Sequence, residues 1–155
     1  MQNSNALPHR IAAGAIVFSD GKVLLVRYPD ENGGSYLVAP GGRAEEGETV
    51  SDAAVRETLE ETGVAVAVRK VLFIEDLLCR RFKMCKVWFL CDVVGGEPQA
   101  TDAAREEGIV EARWHSRAEL ESETVFPPIL TQHDWAAFGS SDWTVKWSEL
   151  RRPAF

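Results

Sequence analysis

The chain has 155 residues, 45% of them hydrophobic and 26% charged, an ordinary globular balance that excludes a disordered or fibrous protein. Seventeen Lys+Arg against 24 Asp+Glu leave a net charge of −7, the wrong sign for a general nucleic-acid binder. The longest apolar runs, Ile11 to Phe18 and Val87 to Cys91, fall far short of a membrane span, and the first residues lack the apolar core of an export signal. Three cysteines cannot all pair, and no C-x-x-C spacing suggests structural zinc. These features point to a cytoplasmic protein with neither a nucleic-acid nor a membrane partner.

Residues 1–10 are polar, contain Pro8 and show no periodicity, so they read as a flexible leader to a single domain over residues 11–155. Ile11 to Phe18 and Lys22 to Tyr28 are apolar, β-branched runs separated by Ser19-Asp20-Gly21, a strong hairpin signal. Pro29 to Ser35 reads as a mobile loop and Tyr36 to Val38 as a short strand. Pro40-Gly41-Gly42 reads as an irregular turn that neither helix nor sheet would tolerate. Thr49 to Thr62 is the clearest helix, with Thr49 as N-cap and Gly63 at a left-handed C-cap. At roughly 100° per residue, Val55, Thr58, Leu59 and Thr62 share one face, expected to be the core face. Strands are expected at Val64 to Ile74, Lys83 to Val94 and Ile109 to Trp114, with an acidic loop from Asp102 to Glu107 before the last. Ser116 to Leu120 and Pro127 to Ala137 read as helical, and Trp143 to Leu150 as a final strand. Together they make one mixed α/β domain.

The charge is not spread evenly. Between Arg43 and Glu61 seven acids stand against two bases, which places most of the net negative charge in 19 residues. Glu57, Glu60 and Glu61 lie at i, i+3 and i+4, neighbours on one helix face, where like charges repel. A solvated helix would intersperse lysines, and this one contains none. The carboxylates look arranged for hard divalent cations, which take oxygen ligands. Pro40-Gly41-Gly42 brings backbone carbonyls near the same helix. Arg56 has the fork geometry to hold a carboxylate bidentately, and Glu48 is an available partner.

The 23-residue stretch GRAEEGETVSDAAVRETLEETGV, Gly42 to Val64, is similar to the Nudix box, with every polar and glycine position of that pattern filled. Thr58 is the one departure, standing where the family usually has a larger aliphatic residue. The resemblance implies a Nudix-type α/β/α sandwich with a mixed sheet. It also implies a metal-dependent pyrophosphohydrolase, by which water attacks phosphorus in a nucleoside diphosphate linked to another moiety X. By the same resemblance Mg²⁺ or Mn²⁺ is held by Glu57, Glu60, Glu61 and the Gly41 carbonyl. One glutamate deprotonates the water, with Glu57 the first choice, and Arg56 orients Glu57 or pairs with Glu48.

Beyond the box, a further acid is expected from the loop before the later strand. Glu106, Glu107 and Glu111 are candidates, and Glu107, followed by Gly108, is preferred. Arg27, Arg80 and Arg81 are candidates for phosphate contacts. Tyr28 and Trp88 are candidates for stacking on a base, although strand aromatics are more often core. The chain has Leu77 to Arg81 where ADP-ribose-type members show a proline and dinucleoside-polyphosphate types a tyrosine; this argues weakly against both substrates. A homodimer is left open. The alternative reading is a non-catalytic nucleotide- or metabolite-binding module on the same fold, although such modules usually carry a degraded box.

Overall fold

A computed structural model describes residues 6–153. Part of the leader, residues 1–5, lies outside the described residues, and the first strand starts at His9, slightly earlier than the sequence suggested. The strands are β1 (His9–Ser19), β2 (Lys22–Pro29), β3 (Ser35–Val38), β4 (Gly41–Arg43), β5 (Ala65–Leu78), β6 (Lys83–Gly95), β7 (Glu111–Ser116), β8 (Val125–Phe126) and β9 (Lys146–Trp147). The helices are α1 (Val50–Thr62), α2 (Asp102–Glu106), α3 (Ile129–Gln132) and α4 (Trp135–Phe138), with a 3-10 turn at Ala118–Ser122.

The sheet is mixed and runs β8-β3-β2-β1-β6-β5-β9, with β4 added on β1 and β7 on β2. β1 pairs in parallel with β6 over nine residues but meets β2 only at Phe18↔Val23 and Ser19↔Lys22. The near part of β1 is occupied instead by β4, so the sheet opens there and leaves a gap between its two halves. Asp20 and Gly21 form the expected two-residue turn, both with positive φ (49° and 73°), as such a hairpin requires.

Side chains alternate across β1. Ala13, Ala15 and Val17 pack with Leu24, Phe89 and Ala53 and Ala54 of α1 on one face. Ile16 packs on the opposite face with Leu25, Leu72, Trp88, and with Ile129, Leu130 and Phe138 of α3 and α4. This is the expected α/β/α sandwich. Each fully buried Leu or Ile there contributes roughly 1.5–3 kcal/mol.

The local expectations are corrected in several places. Gly41 and Gly42 are not an irregular turn but strand β4, because a glycine pair lets that backbone lie against β1. A Cβ on Gly41 would sit 2.4 Å from the Ala13 carbonyl oxygen. The loop Pro29 to Ser35 is closed by Asp30, whose carboxylate accepts from the N–H groups of Asn32 and Gly34, both at 2.8 Å. The acidic stretch Asp102 to Glu107 is mostly helix α2, started by Thr101, whose hydroxyl accepts from the Ala104 N–H at 3.1 Å. Pro127 to Ala137 is two short helices, since His133 is extended and Asp134 caps a fresh start by accepting from the Ala136 N–H. Leu59 is 50% exposed rather than core. Helix α1 turns its smallest residues, Ala53, Ala54 and Thr58, onto the sheet, and that rotation carries Leu59 out and Glu57 and Glu61 in. Thr58 itself is fully buried, its hydroxyl donating to the Ala54 carbonyl at 2.7 Å, so the departure from the family pattern is accommodated.

Gly14 lies opposite Trp88 in the β1–β6 register, and a Cβ there would fall 2.1 Å from the indole ring. Gly14→Ala should lower unfolding free energy in urea by about 1–3 kcal/mol. Gly95→Ala, where a Cβ meets nothing within 4 Å, should stay within about 0.5 kcal/mol of the parent.

His115 on β7 is buried. Its Nδ1–H donates to the Arg113 carbonyl at 3.1 Å, while Nε2 has no hydrogen-bond partner among the described residues. Burial first, and the Arg113 charge second, hold its pKa below the ordinary 6.5. The unfolded chain therefore takes up this proton at a higher pH than the folded one, and stability is lost as pH falls below 6.5. Urea melts between pH 7 and 5 should show a smaller loss for His115→Met than for the parent.

Candidate active site

The functional residues converge at the C-terminal half of α1. Its start is fixed by Thr49, which accepts from the Asp52 N–H at 3.0 Å, and its end by Gly63, with φ of 74° and its N–H on the Leu59 carbonyl. Between these caps, Glu57 and Glu61 point toward the sheet and are buried. Carboxylate oxygens of Glu57, Glu61 and Glu107 all lie within 4.8 Å of one another. Glu107 arrives from the C-terminal end of α2 and is exposed. Glu60, expected beside Glu57 and Glu61, is not among the three and points outward, 45% exposed.

The approach of Glu107 depends on how residues 96–107 dock. The Gln99 N–H donates to the Thr62 carbonyl at 2.9 Å, and the Thr101 hydroxyl donates to the Glu60 carbonyl. Gly96, with φ of 85°, lies so close to the Gly63 carbonyl that a Cβ would come within 2.3 Å of its oxygen. Thr101 therefore joins the end of one helix to the start of another. Its signal was a threonine directly before an Asp-Ala-Ala run, a usable N-cap pattern that the acidic composition obscured.

Arg56 does both things expected of it. It grips Glu48 through Nε (3.1 Å) and Nη2 (2.7 Å), and reaches Glu57 (3.0 Å) and Glu60 (3.2 Å) through Nη1. Nη2 also donates to the Arg43 carbonyl, which anchors β4. The Arg56 bond, aided by the Glu45 N–H, holds Glu48 down to about 2. The guanidinium also opposes the burial that pushes Glu57 above the usual carboxylate range. Glycine is needed beneath: a Cβ on Gly42 would lie 2.5 Å from the Glu57 carboxyl carbon. The Gly41 N–H donates to Glu61 at 3.3 Å.

Glu61 is only 2% exposed, and burial raises its pKa strongly, with Lys86 pulling the other way and Glu57 and Glu107 adding to the rise. Two buried carboxylates and a third beside them repel unless a cation or protons sit among them. An all-oxygen donor set with this repulsion fits a hard divalent cation, and the residues present suit one.

Beside the cluster lies an inner cleft of about 290 Å³, which Glu61 and Gly41 share with it. Its walls include Tyr28, Tyr36, Phe126 and Trp88, and three further groups, Glu75, Lys86 and Arg151, are charged. Tyr28 and Tyr36 stack with centroids 5.6 Å apart. Trp88 is buried in the core, as strand aromatics usually are, and it also lines the cleft. Glu75 is 1% exposed; it accepts from the Trp88 indole N–H at 2.6 Å and from the Arg151 guanidinium, whose Nε lies at 3.0 Å. Sequence reasoning missed Glu75, Lys86 and Arg151. Lone charges in alternating strands carry no spacing signal, and Arg151 is delivered by a tail paired along β5. A larger outer cleft of about 670 Å³ continues past Tyr36 and Phe126 and includes Arg80 and Arg152.

Two of the arginines lie elsewhere. Arg27 alternates away from Val26 and Tyr28, which line the inner cleft, and is engaged by Glu123 (2.9 Å), Glu111 (3.4 Å) and Ser35 (2.8 Å). Arg81 is exposed in the β5–β6 turn and lines neither cleft.

Comparison with known proteins identifies the family and the fold. A protein of Methanocaldococcus jannaschii named ADP-ribose pyrophosphatase is 37% identical over 98 residues, 62% of this chain and 58% of that protein, so the match spans less than two thirds of the relative. A NUDIX hydrolase structure from Nitrosomonas europaea superposes with a TM-score of 0.66 at 28% identity, covering 81% of this chain and 84% of that one. An ADP-ribose pyrophosphatase structure from Streptococcus suis has a TM-score of 0.63 at 23% identity, covering 90% and 98%, a likeness of fold. The family model for the NUDIX domain matches residues 8–135, from the residue before β1 to the first residue of α4, and the chain belongs to the Nudix family.

Proposed function

We propose that this protein is a metal-dependent pyrophosphohydrolase that cleaves nucleoside diphosphates linked to another moiety X. The observation that carries the reading is the convergence of Glu57, Glu61 and Glu107 within 4.8 Å, two of them buried. A pyrophosphate is itself anionic, and such a site binds it only through cations. Glu57, Glu61 and Glu107 would hold Mg²⁺ or Mn²⁺, with Glu60 and the Gly41 carbonyl at the margin. When bound, the ion neutralises phosphoryl oxygens and lowers the pKa of a bound water.

The protein's own share is positioning and proton transfer. Arg56, itself held by Glu48, fixes Glu57, so that this carboxylate would meet a cation in one orientation. In this reading Glu107, exposed and on a separate segment, rather than Glu57, the resemblance's first choice, would accept the proton of the attacking water as its oxygen closes on phosphorus and the bond to the leaving phosphate breaks. Tyr28, Tyr36 and Phe126 offer rings for the nucleoside or for X. Within the class, the likeness to the M. jannaschii protein makes ADP-ribose the first substrate to test, alongside the dinucleoside polyphosphates and nucleotide sugars.

Millimolar Mg²⁺ should raise the melting temperature and permit hydrolysis of at least one member of such a panel, and EDTA should abolish both effects. Equal melting temperatures in the two conditions, with no turnover in either, would refute the enzyme reading. Glu57→Gln should remain folded by circular dichroism while losing several orders of magnitude in kcat.

Glu107→Gln should lower kcat more than Glu106→Gln or Glu111→Gln. Glu106 lies outside the three-carboxylate cluster, and Glu111 is bound to Arg27 and Arg113 on β7. Steady-state kinetics on the three variants side by side measures this.

A further inference from the structure

Lys86 is the least explained charge in the molecule. It sits on β6, 9% exposed, and lines the inner cleft with Glu61 and Glu75. Its ammonium lies 4.2 Å from the centre of the Trp88 ring. Three acids surround it in the electrostatic sense, Glu61, Glu75 and Glu57, and burial opposes its charge while they favour it. Yet among the described residues its ammonium makes no hydrogen bond and no close ion pair. Glu75 is taken up by Trp88 and Arg151, Glu57 by Arg56, and Glu61 by the Gly41 N–H.

Lys86 is only 9% exposed and makes no hydrogen bond among the described residues, so its ammonium has donors to offer to whatever enters the cleft it lines. The ring of Trp88 satisfies part of the charge but none of the donors. What the donors lack is an anionic oxygen, and the cleft they face borders the carboxylate cluster. A neutral acceptor would return less, since hydrogen bonds from a charged donor to a charged acceptor are the stronger kind. Arg56, by contrast, is already bound to Glu48, Glu57 and Glu60.

Resting on the pyrophosphohydrolase reading, we propose that Lys86 binds the substrate's pyrophosphate directly, donating to non-bridging phosphoryl oxygens from the inner cleft. Divalent cations held by Glu57, Glu61 and Glu107 would neutralise part of the anion's charge, and Lys86 meets it from the inner cleft. The pyrophosphate is thereby fixed between two sets of positive charge, and the groups at its ends are left to the aromatic walls. Glu75, through Trp88 and Arg151, keeps the wall beneath the ammonium in place. Lys86 is then a substrate-binding residue and Glu75 a positioning one.

The test uses methylenediphosphonate, a non-hydrolysable pyrophosphate, and adenosine, which has no phosphate, each titrated in millimolar Mg²⁺ by calorimetry. Lys86→Met should weaken the diphosphonate at least about tenfold and leave adenosine unchanged. It should also raise KM for a hydrolysed nucleoside diphosphate derivative more than it lowers kcat. Lys86→Arg, which keeps the charge, should recover part of the diphosphonate affinity. In the parent protein carrying ¹³Cε-labelled lysine, the Lys86 resonance should move with the diphosphonate and not with adenosine, a measurement independent of whether the variants fold. A folded Lys86→Met with parental diphosphonate affinity, or a Lys86 resonance unmoved at saturation, overturns the assignment and leaves Lys86 a counter-ion of Glu61 and Glu75. A parent protein that hydrolyses no derivative overturns the pyrophosphohydrolase reading instead. Hydrolysis by the parent with an unchanged KM in Lys86→Met overturns the Lys86 assignment alone.

Discussion

Like charge buried at the end of one helix is the constraint around which this protein is arranged. Glu57 and Glu61 sit on the face of α1 that packs on the sheet, where desolvation opposes ionisation, and Glu107 is brought against them from outside. Left alone, such a cluster would protonate or push the helix away. Positive charge approaches it from two directions. Arg56 engages the outer side through four carboxylate bonds to Glu48, Glu57 and Glu60, and Lys86 faces Glu61 from β6 without closing to contact. The compensation is partial, and the remaining negative potential favours positive charge at the site.

The same constraint explains features that look like packing details. Alanines at positions 53 and 54 and a threonine at 58 let α1 lie close to the sheet, and that closeness is what buries the glutamates three and four residues further on. Gly42 leaves room for the Glu57 carboxyl, and Gly41 supplies an N–H to Glu61 while lying flat on β1. At the helix end, the Gly63–Gly96 contact and the Thr101 hydroxyl dock the next segment tightly enough to deliver Glu107. Small residues set the approach distances, and the approach distances set the chemistry.

Where β1 leaves β2 for β4 and β6, the sheet parts, and the inner cleft occupies the gap with the carboxylates at one side. Its floor is a polar network within a lining otherwise mostly apolar and aromatic. Glu75 joins Trp88 of β6 to Arg151 of the tail, so the tail, paired along β5, becomes a wall of the cleft. A buried carboxylate satisfied by an indole and a guanidinium specifies one arrangement of three separate segments, because every other arrangement leaves a charge unpaired.

The sequence by itself determined the pieces governed by local physics. The hairpin at Asp20-Gly21, the caps Thr49 and Gly63, the spacing of the glutamates and the clamp between Arg56 and Glu48 all follow from dihedral preferences or from neighbours eight residues apart or fewer. Tertiary structure decided which glutamates converge. Helical periodicity groups Glu57, Glu60 and Glu61 alike, but the rotation of α1 on the sheet turns Glu60 outward and leaves a place that Glu107 fills from 46 residues beyond. It also turned Gly41 and Gly42 into a strand, since only the backbone of β1 beside them makes pairing possible there. Glu75, Lys86 and Arg151 meet across strands and tail, with no periodic signal linking them. Burial is a property of the assembled fold, and it is burial that makes a lone lysine or glutamate in a strand chemically distinctive.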